Sequence, residues 1–168
     1  MIFRLTTKLA KKIKESPESA APLDGNPFID WAATLFTINR HQYILITNRE
    51  SLLSWVFYGS GVPEGHQFIL KALTGIRECM EEYGFEFIYE TQIVPNTGRI
   101  RFSKVGDRKV NGVMVDLVKH AQYYNRMEDL VPCEIAMRLN KIPQCSRKNP
   151  WPIDAFGKML IKTEETLN

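Results

Sequence analysis

Between Phe68 and Tyr83 the apolar residues fall at helical spacing: Phe68, Ile69, Ala72, Leu73, Ile76, Cys79, Met80 and Tyr83, with Lys71, Glu78, Glu81 and Glu82 on the opposite side. This stripe predicts an amphipathic helix over 65–83, entered from a glycine-rich turn with Pro63 and stopped by Gly84. A second stripe, Val110, Val113, Met114, Leu117, Ala121 and Tyr124, predicts a helix over 109–126. Pro132 is placed to start a shorter one through Ile135, Ala136 and Leu139, ended by Pro143.

Elsewhere the pattern is that of strands. Trp31–Ile38, Gln42–Asn48 and Leu52–Tyr58 are rich in aromatic and aliphatic residues and are separated by only three residues each. Links so short join antiparallel neighbours, which predicts a three-stranded meander turning at Asn39-Arg40-His41 and Arg49-Glu50-Ser51. Leu35, Phe36, Ile44, Leu45 and Ile46 are apolar at adjacent positions, so both faces of this sheet call for cover. Ile2–Leu5 reads as a first strand, followed by a helix capped by Thr6 or Thr7 with Leu9, Ala10 and Ile13 on its inner side. Arg99–Ser103 reads as a half-exposed strand and Glu86–Val94 as a further one. The stretch Glu15–Asp30, with Pro17, Pro22, Gly25 and Pro27, reads as a long surface loop. The fold class expected is α+β: one domain over 1–168, an antiparallel β-meander sheet extended by the strands near Ile2 and Ile100 and packed with two main amphipathic helices. A basic tail from 145 onward is expected to be peripheral, anchored by Trp151 and closing in a frayed helix.

Composition adds limits. The 168 residues are 44% hydrophobic and 24% charged, ordinary globular usage with no internal repeat or low-complexity segment. A net charge of +3 falls short of a dedicated nucleic-acid binder. Cys79, Cys133 and Cys145 form an odd set without a Cys-x-x-Cys pair, which argues against a disulfide framework or a zinc knuckle and for a reducing compartment. No apolar run reaches membrane-spanning or signal-peptide length, so a soluble, cytoplasmic protein without membrane partners is expected.

Charge is unevenly spread, and this is where candidate chemistry lies. Arg99, Arg101, Lys104, Arg108 and Lys109 face a single acid, Asp107, giving a local charge of about +4. Such a strand and turn suit a phosphate or carboxylate, aided by the amides that open the following helix and by Phe102 as a stacking face. Strand alternation would put Arg99, Arg101 and Ser103 on one solvated side and Ile100, Phe102 and Lys104 on the other; a solvated charged face is the commoner outcome of this pattern. On the next helix Gly112, Asp116 and His120 stand at successive i, i+4 positions near Tyr123, which offers an acid–base pair beside an open space. The same spacing also describes a solvent-facing ion pair, and no nucleophile accompanies it. Gly59-Ser60-Gly61 lacks the Gly-x-Ser-x-Gly spacing of a nucleophile elbow. His41, His66 and His120 lack metal-ligand spacing, so neither a metal nor a cofactor is expected. Cys79 sits on an apolar helix face, where a thiol behaves as a small hydrophobe. Nothing obvious activates Cys133 or Cys145, and Trp31 and the Asn48-Arg49 pair read first as structural.

Three blocks carry a resemblance: Ile2-Phe3-Arg4-Leu5-Thr6-Thr7-Lys8-Leu9, the meander segments Trp31–Leu35 and Ile44–Asn48, and Phe102-Ser103-Lys104 followed by Arg108–Leu117. Together they resemble an uncharacterised bacterial family classed as a domain of unknown function, with similar domains at the amino end of plasmid-borne open-reading-frame-3-type proteins. The family pattern has small polar residues where this chain has Lys109, Val113 and Val115, and it matches at Arg108, Gly112, Met114 and Asp116. The resemblance implies a domain and a gene that travels on mobile elements; it supplies no reaction. The sequence therefore leads to a non-enzymatic interaction module that takes a protein partner or nucleic acid through the basic strand and turn. The alternative is a small hydrolase or transferase acting on a phosphorylated or acidic substrate, with Asp116 and His120 as acid and base and Lys104 and Arg108 holding the anion. A homodimer through Val115 and Leu70, which lie off the main stripes, is a third expectation.

Overall fold

In the computed structural model, which describes residues 1–145 and 147–167, a first strand β1 (Ile2–Leu5) is followed by a short helix α1 (Thr7–Lys12). The meander then appears as β2 (Asp30–Ile38), β3 (His41–Asn48) and β4 (Ser54–Tyr58), paired antiparallel with Trp31 opposite Asn48 and Tyr43 opposite Tyr58. A long helix α2 (Gly65–Tyr83) and a single helical turn α3 (Glu86–Ile88) lead to β5 (Arg101–Lys104). Helices α4 (Arg108–Glu128), α5 (Pro132–Leu139) and α6 (Pro152–Leu167) complete the chain. The five strands form one sheet in the order β4-β3-β2-β1-β5.

The expectation of an antiparallel sheet with two main helices is corrected in both respects. β1 pairs parallel with β2 on one side and with β5 on the other, Phe3 lying level with both Trp31 and Phe102. Residues 6–29, which hold α1, form the crossover that parallel pairing requires, whereas the two- and five-residue links of the meander suit hairpins. Six α-helices of differing length are present among the described residues. Glu86–Val94 is helical, passing from α3 into a π-helical turn, Tyr89–Ile93. Ile88 and Ile93 are both buried five residues apart, a spacing that a wide turn can point inward. The anchor of the last segment is Phe156, fully buried against Phe28 and Phe85, while Trp151 is half-exposed.

Alternation divides the sheet's cover. Phe3, Phe57 and Phe102 meet Phe68 of α2 with ring centroids 5.2, 6.5 and 5.9 Å apart. Gly75 lets α2 approach closely, since a Cβ there would stand 2.9 Å from the Trp55 ring. On the other face α4 and α5 cover β2–β4 with Val110, Met114, Leu117, Ala121, Ile135 and Leu139 buried. Asn140, just past α5, closes the outer edge of β4: its amide accepts from Ser54 N–H and donates to the Ser54 carbonyl, both at 2.8 Å, and donates to the Tyr83 hydroxyl. Burial pushes the Tyr83 phenol up to about 12.

A charged pair lies inside this frame. Arg4, in the middle of β1, holds Asp30 through Nε to Oδ1 at 2.7 Å and Nη2 to Oδ2 at 2.8 Å, and both residues are buried. The same guanidinium donates to the carbonyls of Ala21 and Pro22. The long connection is thereby pinned: Glu18 bridges to Ser103 in β5, and Ala21 N–H donates to Ser103 Oγ. The half-exposed strand expected over Arg99–Ser103 is thus shorter and covered at its outer edge, with Ser103 buried.

Removing one member of a buried ion pair strands the other charge, at a cost of about 3–5 kcal/mol. Arg4→Met is expected to destabilise the protein by that amount in chemical denaturation and to speed amide exchange across residues 18–22. An exchange pattern unchanged in that segment would show that the connection is held by other means.

Candidate functional site

The parallel pairing of β1 with β5 sets up a cleft. Both strands end side by side, at Leu5 and Lys104, and their outgoing chains part. From β1 the chain enters α1 and runs to the α2 side, where Glu15 lies against Gly65 and Lys14 pairs with Glu64. From β5 it enters α4 on the opposite face. Crevices outside the carboxyl ends of parallel strands whose connections diverge are where open α/β sheets hold ligands. Here an open crevice of about 710 Å³ lies between α1 and the β5–α4 turn, within the range of small-ligand sites.

Its lining combines apolar and cationic groups. Leu5, Ala10, Pro17 and Val105 supply apolar surface, and Lys8, Lys11, Lys104 and Arg108 supply four positive charges. None of these four makes an ion pair or a side-chain hydrogen bond with any described residue. The acids in the lining are Glu15 and Asp107, and Asp107 is already engaged. It caps α4, with Oδ1 accepting from the N–H of Lys109 at 2.8 Å and of Val110 at 3.3 Å, while Oδ2 accepts from Arg49 Nη2 at 2.8 Å. Burial opposes ionisation of Asp107, but the Val110 and Lys109 amides and the Arg49 guanidinium outweigh it and hold its carboxyl below the usual range. Asp107 therefore spends its charge on the helix start and on Arg49 rather than on Arg108 or Lys104. Gly106 makes the turn: its φ is +63°, and a Cβ would stand 2.4 Å from Ala20.

The five basic residues expected to act together divide. Lys104 and Arg108 line the cleft. Arg99 and Arg101 instead border a separate hollow of about 540 Å³ with Asp24 and Asn96. Arg101 and Lys104 lie about 10 Å apart along β5 and, by alternation, point to opposite faces. Lys109 is exposed at the first turn of α4 and does not line the cleft. Asp116 and His120 stand about 12 and 18 Å along α4 from Arg108. Asp116 is solvent-exposed and paired with Lys119, and His120 is exposed and stacked on Tyr124. Neither lines the cleft.

Sequence reasoning missed Lys8 and Lys11 as site residues; what brings them to Lys104 is the parallel β1–β5 pair, which no local pattern announces. It also missed that Arg49 reaches the α4 cap. Asn48 and Trp31 are structural, as read: the buried Asn48 accepts from Glu50 and Ser51 and donates to Pro27, and Trp31 Nε1 donates to Phe28. Cys79 is buried, and burial pushes its thiol up and out of the reactive range. No group of three or more potential metal ligands occurs among the described residues, and no described helix is long and apolar enough to cross a membrane.

Asp107→Ala is expected to cost about 1–2 kcal/mol by loss of the cap. Because the folded-state pKa is depressed, the ionised cap stabilises above the ordinary carboxyl pKa and the benefit fades as pH falls through the folded value. The stability gap between wild type and variant should thus narrow below about pH 4 in urea melts at a series of pH values. A gap that stayed constant from neutral to strongly acid pH would contradict an ionised cap.

No curated protein matches the chain, and no solved structure matches it. A family model described as a domain of unknown function, DUF6933, matches residues 2–155, taking in all five strands, helices α1–α5 and both walls of the cleft. The chain belongs to the DUF6933 family.

Proposed function

We propose that the protein is a non-enzymatic interaction module that recognises an anionic group of its partner in the cleft between α1 and the β5–α4 turn. The observation that carries this is the set of four cations, Lys8, Lys11, Lys104 and Arg108, gathered round one cavity with no ion-pair partner among the described residues. All four are solvent-exposed, and four cations converging on one partly apolar cleft set up a stronger local positive potential than the same charges spread over the surface. The apolar lining adds contact area for whatever carries the charge. The hydrolase or transferase alternative lacks a comparable observation, since Asp116 and His120 are remote from the cations. A bacterial, mobile-element setting, implied by the resemblance of the motifs, and a cytoplasmic location, consistent with three free cysteines, belong to this reading.

The division of the basic residues makes the proposal testable against diffuse charge attraction. Fluorescence anisotropy is measured with labelled duplex DNA, single-stranded RNA and an oligo-aspartate peptide over a salt series. Lys104→Ala/Arg108→Ala is compared with Arg99→Ala/Arg101→Ala, which removes equal charge outside the cleft. The expected result is salt-dependent binding of at least one polyanion, weakened tenfold or more by the first pair and less than threefold by the second. Equal losses from both pairs, or no binding at low salt, would contradict the proposal.

A further inference from the structure

β2 is nine residues long, yet β1 accompanies only its first four. Thr6 N–H still reaches the Ala33 carbonyl at 3.0 Å, and there the chain turns away into α1. Along β2 the backbone groups alternate in direction, so those of Leu35 and Thr37 point into the row that β1 has left, while those of Thr34 and Phe36 face β3. Among the described residues the N–H and C=O of Leu35 and the N–H of Thr37 have no partner. The Thr37 carbonyl takes one bond, from Gln122 Nε2 at 3.0 Å, a contact at the exposed rim. A central strand is thus left with an open edge, a state that proteins ordinarily cover.

This edge lies in a groove of about 320 Å³ whose opposite wall is the flank of α4 formed by Met114, Val115 and Val118. Val115, one of the apolar residues off the main stripe, is 47% exposed there. At one end the groove meets the cationic cleft, and Lys8 and Asn111 line both. An unpaired strand edge, an apolar wall and a cluster of unpaired cations therefore lie in line. A small phosphate would use only the cations, and a nucleic-acid backbone has no alternating N–H and C=O groups to match the edge. An extended peptide uses all three.

We infer that the partner is an extended acidic segment of a protein, added as a short strand in the row of β1 along Leu35–Thr37. Its apolar side chains lie on Val115 and Val118, and its carboxylates sit in the cleft against Lys8, Lys11 and Arg108. This inference rests on the cleft reading and adds the partner's class and path.

The test uses labelled synthetic peptides of alternating valine and threonine with three aspartates at either end. Each is also made with N-methyl groups on one or the other set of alternate residues. A strand added at β2 turns only one set of N–H groups toward the protein. Methylation of that set should weaken binding at least tenfold, and methylation of the other set less than threefold. Val115→Arg, at a half-exposed position where the fold tolerates change, should also weaken binding tenfold with an unchanged melting temperature. Equal binding of both methylated forms and the parent, or no effect of Val115→Arg, would overturn strand addition while leaving the cleft reading intact. Tight binding of RNA or DNA with none of the peptides would overturn the partner class. Failure of every polyanion would remove the cleft reading as well.

Discussion

Moving a guanidinium and a carboxylate out of water costs several kcal/mol for each, and neither Arg4 nor Asp30 could remain in the sheet without the other. Their two parallel hydrogen bonds, at 2.7 and 2.8 Å, tie β1 to the start of β2. The remaining donors of Arg4 meet the carbonyls of Ala21 and Pro22, so the connection between the two strands is drawn over the buried pair and seals it from solvent. The consequences spread outward from there. The sealed connection supplies Glu18 and Ala21 to Ser103, which covers the outer edge of β5. It also sets Ala20 against Gly106, where the chain turns from β5 into α4. One wall of the cleft is therefore positioned by contacts that begin at a charge in the centre of the sheet.

Much of this fold was legible in the sequence, and the division between what was and was not has a physical basis. The helix over Gly65–Tyr83 could be read to its ends because its stripe is unbroken and Gly84 adopts the left-handed conformation that stops it, with φ of +71°. The meander was legible because its links are too short for anything but hairpins. The parallel pairing of β1 with β5 was not, since these residues are about a hundred positions apart and strand patterning is the same whichever neighbour a strand takes. Phe85-Glu86-Phe87 alternates as a strand would, yet the left-handed Gly84 leads directly into another helical turn. Trp151 looked like the anchor of the last segment by size, but the space between Phe28, Trp31 and Phe85 admits Phe156.

The same reasoning explains why only half of the candidate site could be read. Lys104 and Arg108 stood out as part of a dense basic run, and so did Arg99 and Arg101, which lie just before and at the far end of β5, at a separate hollow. Lys8 and Lys11 join the first pair only through tertiary pairing. Asp107 looked like the natural neutraliser of the run; the structure shows it committed to two helix amides and to Arg49, which leaves the cleft cations in excess. Exposed pairs such as Lys119 with Asp116 contribute little to stability and mark no site. A charge cluster becomes informative when the fold gathers it round one cleft in excess of the acids there.

That convergence of charge can be tested without knowing the natural partner. Inorganic pyrophosphate titrated into isotopically labelled protein, followed through backbone amide resonances, reports where an anion settles. The account predicts saturable shifts concentrated at residues 5–11 and 104–111, lost in Lys104→Ala/Arg108→Ala. Shifts centred on Arg99 and Arg101, or small shifts scattered over every basic surface, would contradict it.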